Sequence, residues 1–289
     1  MLRLPLFAAL LTIPALAQTL DATVDNPDWQ KPFAAFRIVG NVYYVGTYDL
    51  ASYLITTPQG HILINTGLAD SIPLIRANIE SLGFKVSDIK ILTATHSHYD
   101  HTAGLAELKR ITHAQMFMEE EDAPALEDGG KTDYRYPQGR PQAYEPVKVD
   151  RRLKDGDTIS LGGTVLTVHH HPGHTKGSTS FTMNVTEAGK TYRVGIINMG
   201  SINPGVKVSG MEGFPGITQA YARTFHDQSE MQIDIWLASH AAQFKMHDKY
   251  KPGDAYDPNR FVDPQGFKAE VARLEQIYRD HLAQEQNAK

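Results

Sequence analysis

The chain has 289 residues, no cysteine and a formal net charge of −5, from 28 Lys and Arg against 33 Asp and Glu. The missing cysteine excludes disulfides, thiolate zinc sites, iron–sulfur clusters and a cysteine nucleophile, and the charge balance offers no basic face for nucleic acid. With 41% hydrophobic and 21% charged residues, the composition suits a globular protein with a substantial core, in one large domain or two small ones.

Residues 1–17 read as a signal peptide. Arg3 supplies the positive start, an apolar run follows from Leu4 to Leu16, and Ala15-Leu16-Ala17 has the small-x-small form of a cleavage site. The run falls short of the ~20 residues that span a bilayer, and Pro5 and Pro14 interrupt it as a helix. Cleavage there leaves 18–289 as a single domain without a membrane anchor, expected in the periplasm or secreted. Without disulfides, that product must be held by its core or by bound metal.

The body opens with antiparallel strand candidates at Phe36–Val39, Val42–Val45, Tyr53–Thr57 and His61–Asn65, β-branched and aromatic runs bounded by Gly, Pro and Asn. Ile72, Ile75, Ile79 and Leu82 then recur at helical spacing, and Gly83 ends the run. Ile89–Ala94 is a buried strand, and a helix follows at Leu105–Arg110. From Glu119 to Gln142 the chain is irregular, a length that in a compact domain is functional or disordered. Strands resume at Thr158–Leu161, Val165–His170, Ser178–Val185 and Tyr192–Asn198. A helix near Ile217–Asp227 precedes the strand Ile233–Ala238. The last helix starts after Asp263-Pro264 and buries Phe267, Val271, Leu274 and Ile277. No repeat appears, and the strand sets with interposed helices predict an α/β protein of one domain.

The chemistry gathers at three strand ends. Thr95 opens the run Thr-His-Ser-His-Tyr-Asp-His, which puts His96, His98, Asp100 and His101 within six residues. Strand side chains alternate faces, so His96 and His98, two apart, can point the same way. The turn into a helix near Thr102 lets Asp100 and His101 face a point a few ångströms away. Imidazole and carboxylate at that density suit zinc. A second cluster, His169-His170-His171-Pro172-Gly173-His174, also follows an apolar strand. His174 is the candidate ligand there, and the three before it read as residues of the strand end. His240 closes the strand ending Trp236-Leu237-Ala238-Ser239, where open α/β sheets carry their sites. Taken alone it suits a ligand and a hydrogen-bonded core histidine equally.

The His-x-His-x-Asp-His run, the Pro-Gly-His-Thr segment and the late Ser-His resemble the metallo-β-lactamase superfamily in order and spacing, from about Phe36 to about Lys249. The resemblance implies a four-layer αβ/βα sandwich with two zinc ions at one edge of its sheets, His96, His98 and His174 on the first, Asp100, His101 and His240 on the second. Most dinuclear hydrolases of the superfamily bridge their metals with an aspartate after the second histidine segment, yet no aspartate occurs between Asp157 and Asp227. Two β-lactamase subclasses use a cysteine ligand, which this chain lacks. What remains resembles subclass B3, and with it a β-lactam hydrolase acting on penicillins, cephalosporins and carbapenems and conferring antibiotic resistance. A zinc pair would supply hydroxide at neutral pH, and Asp100 would orient it. Ser201 and Asn203 would bind the substrate carboxylate, or form a simple loop turn. Tyr134 and Tyr136 would wall the substrate, or stand as surface aromatics. Asn65 departs from the aspartate common after the Leu-Ile strand. A monomer is expected. The alternatives are another hydrolase of the superfamily, acting on a lactone, ester or thioester, and a non-catalytic periplasmic zinc binder. Six ligands for two sites argue against the latter, since structural zinc is closed and usually single.

Overall fold

A computed structural model describes residues 26–288; the signal-peptide reading lies outside the described residues. One sheet has seven strands, in chain order: β1 (Phe36–Val39), β2 (Val42–Tyr44), β3 (Tyr53–Thr57), β4 (Gly60–Ile64), β5 (Ile89–Thr93), β6 (Gln115–Glu119) and β7 (Arg151–Leu153). The first four pair antiparallel and the last four parallel. The other sheet holds β8 (Thr158–Leu161), β9 (Thr164–His170), β10 (Thr179–Glu187), β11 (Lys190–Ile197) and β12 (Ile235–Ala238), with β12 parallel to β11 at its edge. The α-helices among the described residues are α1 (Ile72–Ser81), α2 (Tyr99–Thr102), α3 (Leu105–Thr112), α4 (Ala123–Asp128), α5 (Ile217–Glu230), α6 (Met246–Lys249) and α7 (Pro264–Asn287).

Strand alternation sorts side chains into two cores. On β3 and β4, Tyr53, Ile55, Ile62 and Ile64 point into the core shared with the second sheet, while Leu54 and Leu63 point to the other side. There they meet Ile72, Ile75 and Ile79 of α1 and Leu105 and Leu108 of α3. The second sheet is covered in turn by Tyr221 and Phe225 of α5 and Phe267, Val271 and Leu274 of α7. The layers are therefore helix, sheet, sheet, helix. This is the four-layer αβ/βα sandwich.

Two strands have no counterpart in the sequence reading. On β6, Met116 and Met118 enter one core and Phe117 the other, so a strand covered on both faces shows no polar alternation. β7 has only three residues, two of them exposed. The stretch expected to be irregular contains α4. In α7 the fourth buried position is Tyr278 rather than Ile277, which is only partly buried at the core's edge.

Candidate metal centre

The first four candidate ligands follow β5, a strand paired on both sides and terminated by Asn65 of the neighbouring strand's exit. Asn65 adopts a left-handed backbone, φ 62°, which asparagine tolerates better than most residues. Its Oδ1 accepts from the Thr95 amide at 2.9 Å and lies 3.2 Å from the Thr95 hydroxyl. The backing of the site at this position is thus a neutral amide. His98 occupies the N-cap position of α2, whose single turn carries Asp100 and His101. Thr102 donates to the His98 carbonyl at 2.9 Å, and Thr66 N to the His101 carbonyl at 2.8 Å. His174 stands in the loop between β9 and β10, and His240 just beyond β12.

These elements bring the predicted ligands together. Ligand atoms of His96, His98 and His174 lie within 4.8 Å of one another, and so do those of His96, Asp100 and His101. Nδ1 of His98 and Nε2 of His174 are 3.1 Å apart. Asp100 Oδ2 lies 3.0 Å from His101 Nε2 and 3.4 Å from His240 Nε2. His96 Nε2 and His101 Nδ1 are buried without a hydrogen-bonding partner. Buried polar atoms are rarely left so, and a cation with nitrogen and oxygen ligands satisfies them. A cavity of about 20 Å³, bounded by His96, His174, Asn198, Ser201 and His240, has room for roughly one water or ion.

Other groups aim the rings. His174 Nδ1 donates to the Ser201 carbonyl at 2.8 Å, leaving Nε2 toward the cluster. His240 Nδ1 pairs with Asp49 Oδ2 at 3.0 Å. Asp49 also accepts from Trp29 Nε1 at 3.1 Å and the Ala242 amide at 3.0 Å. Asp133 Oδ2 lies 3.6 Å from His98 Nε2 and is clamped by Arg135. Asn198 Nδ2 is 2.8 Å from His96 Nδ1 and donates to the Thr95 carbonyl at 3.1 Å. Carboxylate and carbonyl partners of this kind fix ring orientation at metal sites.

The protonation states divide the cluster. Burial pushes His96 and His98 well below the usual histidine range, aided by neighbouring histidines and, at His98, by Arg135. Burial likewise brings His174 down to about 4. Burial also opposes the Asp100 charge, but His101 and His240 outweigh it and hold the carboxyl well below its ordinary value. For His240 the burial penalty is overcome by Asp100 and Asp49, which push it up to about 9.

The remaining predicted residues are spread around this cluster. Ser201 is half-buried at the cavity, its Oγ 3.2 Å from His174 Nδ1. Asn203 lies two residues on, where its carbonyl accepts from the Val206 amide in a turn. Tyr134 is buried, packs edge-on against Phe214 and donates to the His174 carbonyl at 3.2 Å; it supports that loop rather than standing open as a wall. Tyr136 is 40% exposed, with Arg135 and Arg140 over its ring. His169, His170 and His171 bond to Thr182, the Lys176 carbonyl and Ser180. The sequence reading missed Asp49, Asp122 and Asp133, and no local signal marks them. Asp49 is 191 residues from the histidine it holds.

A profile described as the metallo-beta-lactamase superfamily matches residues 47–186. The solved structure of the class B3 di-zinc metallo-β-lactamase LRA-12 from an Alaskan soil metagenome is similar at 49% identity and a TM-score of 0.87, over 90% of this chain and 98% of that one. A β-lactamase from Chitinophaga pinensis is similar at 46% identity and a TM-score of 0.86, over 89% and 97%. Native FEZ-1 metallo-β-lactamase from Legionella gormanii gives 42% identity and 0.85, over 89% and 98%. Curated relatives match over shorter stretches. An acyl-coenzyme A thioesterase MBLAC2 of Bos taurus is 37% identical over 30% of this chain and 35% of its own length. A hydroxyacylglutathione hydrolase of Rhodopseudomonas palustris strain HaA2 is 29% identical over 46% of this chain and 43% of its own. The chain thus spans less than half the length of these curated relatives.

Proposed function

The chain belongs to the metallo-β-lactamase superfamily, and we propose that it is a zinc-dependent β-lactam hydrolase of the subclass B3 kind. The observation that carries this reading is the ligand set. Three histidines held neutral by burial adjoin an Asp-His-His trio, with no cysteine in the sequence and no aspartate between Asp157 and Asp227 to bridge the two sites. His96, His98 and His174 would hold one zinc, and Asp100, His101 and His240 a second. When bound, the pair supplies Lewis acidity and an activated water.

The chain's own residues prepare that chemistry. Ser201 and Asp49 keep Nδ1 of His174 and His240 occupied, so each ring presents Nε2 to the cavity. Asp100, held ionised by His101 and His240, offers a hydrogen-bond acceptor beside the reacting atoms and is the catalytic carboxylate of this reading. Ser201 at the cavity wall would donate its hydroxyl hydrogen to the substrate's carboxylate, with Asn203 beyond it. Tyr136, exposed at the edge of the same loop as Tyr134, would meet the substrate's apolar side.

The test is carbapenem hydrolysis by the zinc-loaded protein. Turnover abolished by EDTA is expected. A protein that cleaves a lactone or thioester but no β-lactam would overturn the assignment. We also propose that the mature enzyme is exported to the periplasm or secreted, on the strength of Arg3, the Leu4–Leu16 run and the Ala15–Ala17 cleavage form, and that it acts as a monomer conferring resistance. Among the described residues no helix is long and apolar enough to cross a membrane. A mature N-terminus at Gln18 and a single-chain mass in solution are the expected results.

A further inference from the structure

Asp122 sits at the N-cap of α4, where an aspartate ordinarily accepts from the helix's own first amides. Its side chain makes no such bond. Its oxygens are turned the other way. Oδ2 accepts from the Ser97 amide at 2.8 Å and the Thr175 hydroxyl at 2.7 Å, and Oδ1 accepts from the Gly177 amide at 2.8 Å. The residue is 3% exposed.

Those donors lie on two loops from two sheets. Ser97 stands between His96 and His98, at the exit of β5 in the seven-stranded sheet. Thr175 and Gly177 follow His174, between β9 and β10 of the five-stranded sheet. Asp122 therefore ties the sheets together at the seam where three histidines must converge. Close packing enforces the same contact. A β-carbon on Gly177 would stand 2.4 Å from Glu119 Oε2, 2.5 Å from the Asp122 nitrogen and 2.7 Å from the Asp122 β-carbon. The second trio has tethers of its own, the Thr66 amide on the His101 carbonyl and Asp49 on His240.

We propose that Asp122 is a positioning residue that sets the spacing of His96 and His98 against His174. The proposal rests on reading those three as a metal site. Asp122→Asn preserves size but turns one acceptor into a donor facing an amide or hydroxyl.

Zinc retention of the metal-loaded protein, titrated against a chromophoric chelator, tests it. His174→Ala and His240→Ala mark which release step belongs to which ion. We expect Asp122→Asn to weaken the first ion about 10-fold or more and to shift the second far less, the signature of His174→Ala. Gly177→Ala, which pushes the loop off Asp122, should give the same signature and carries the test if Asp122→Asn does not fold. Both variants releasing zinc as the wild type does, or losing both ions equally, would overturn the proposal. A wild type that retains no zinc would instead overturn the metal reading, and this inference with it.

Discussion

The two halves of the metal centre share a wall but not a charge. On the side of His98 and His174 the ligands are buried imidazoles held neutral, His174 down at about 4. On the side of Asp100 and His240 a carboxylate stays ionised and a histidine is pushed up to about 9, after Asp100 and Asp49 overcome its burial. The first half is ready for a cation at neutral pH. The second already holds a proton that a cation must displace. Preorganisation by desolvation and preorganisation by charge thus stand side by side in one cavity.

The largest effect should come from the charged half. Asp100→Ala removes the only carboxylate among the six proposed ligands, and turnover of a carbapenem should fall about 10³-fold. Retention of near-full activity would break the distinction between the halves. Next come the reciprocal ligand losses. His240→Ala should weaken the second zinc about 100-fold and the first much less, and His174→Ala the reverse, read by metal analysis after graded chelation. A reversed pattern would mean that the two sides have been assigned the wrong way round.

Acidity sharpens the contrast further. Below about pH 9 His240 carries a proton that zinc must release, so affinity for the second ion should rise about tenfold per pH unit between 6 and 8. The first ion should show no such slope, because its histidines are already neutral there. Zinc titrations at pH 6, 7 and 8 measure both, and Asp49→Asn should flatten the second slope by removing one of the carboxylates that hold the proton. The smallest effect belongs to the rim. Ser201→Ala should raise KM several-fold and leave kcat close to the wild-type value, since a carboxylate anchor contributes mainly uniform binding. A variant with intact zinc and no turnover would instead place that hydroxyl in the chemistry.

The same contrast explains what could be read from the residues in advance. His96, His98, Asp100 and His101 are legible because one strand end and one helical turn carry them all. His174 and His240 are legible because each closely follows an apolar strand. Asp49 is not, because only the tertiary fold brings it to His240. Asp122 closes four successive acids, Glu119 to Asp122, of which the fold buries the first and last and leaves Glu121 exposed. Nothing in that run distinguishes them. Tyr134 looked like a loop aromatic over the site, and its contacts with Phe214 and the His174 carbonyl put it beneath the loop instead. β6 escaped because both of its faces are covered, so its apolar side chains show no alternation.

The distances along the chain carry a kinetic consequence. His98 and His174 meet across 76 residues, Thr95 and Ser239 across 144. Contacts so far apart in sequence form late, after the loops between them have closed. The cluster cannot exist until the second sheet has docked on the first, so an ion held there cannot seed folding. It would act as a latch instead, leaving the folding rate unchanged and slowing the unfolding rate. In a chain with no disulfide, that latch would govern how long the folded molecule lasts.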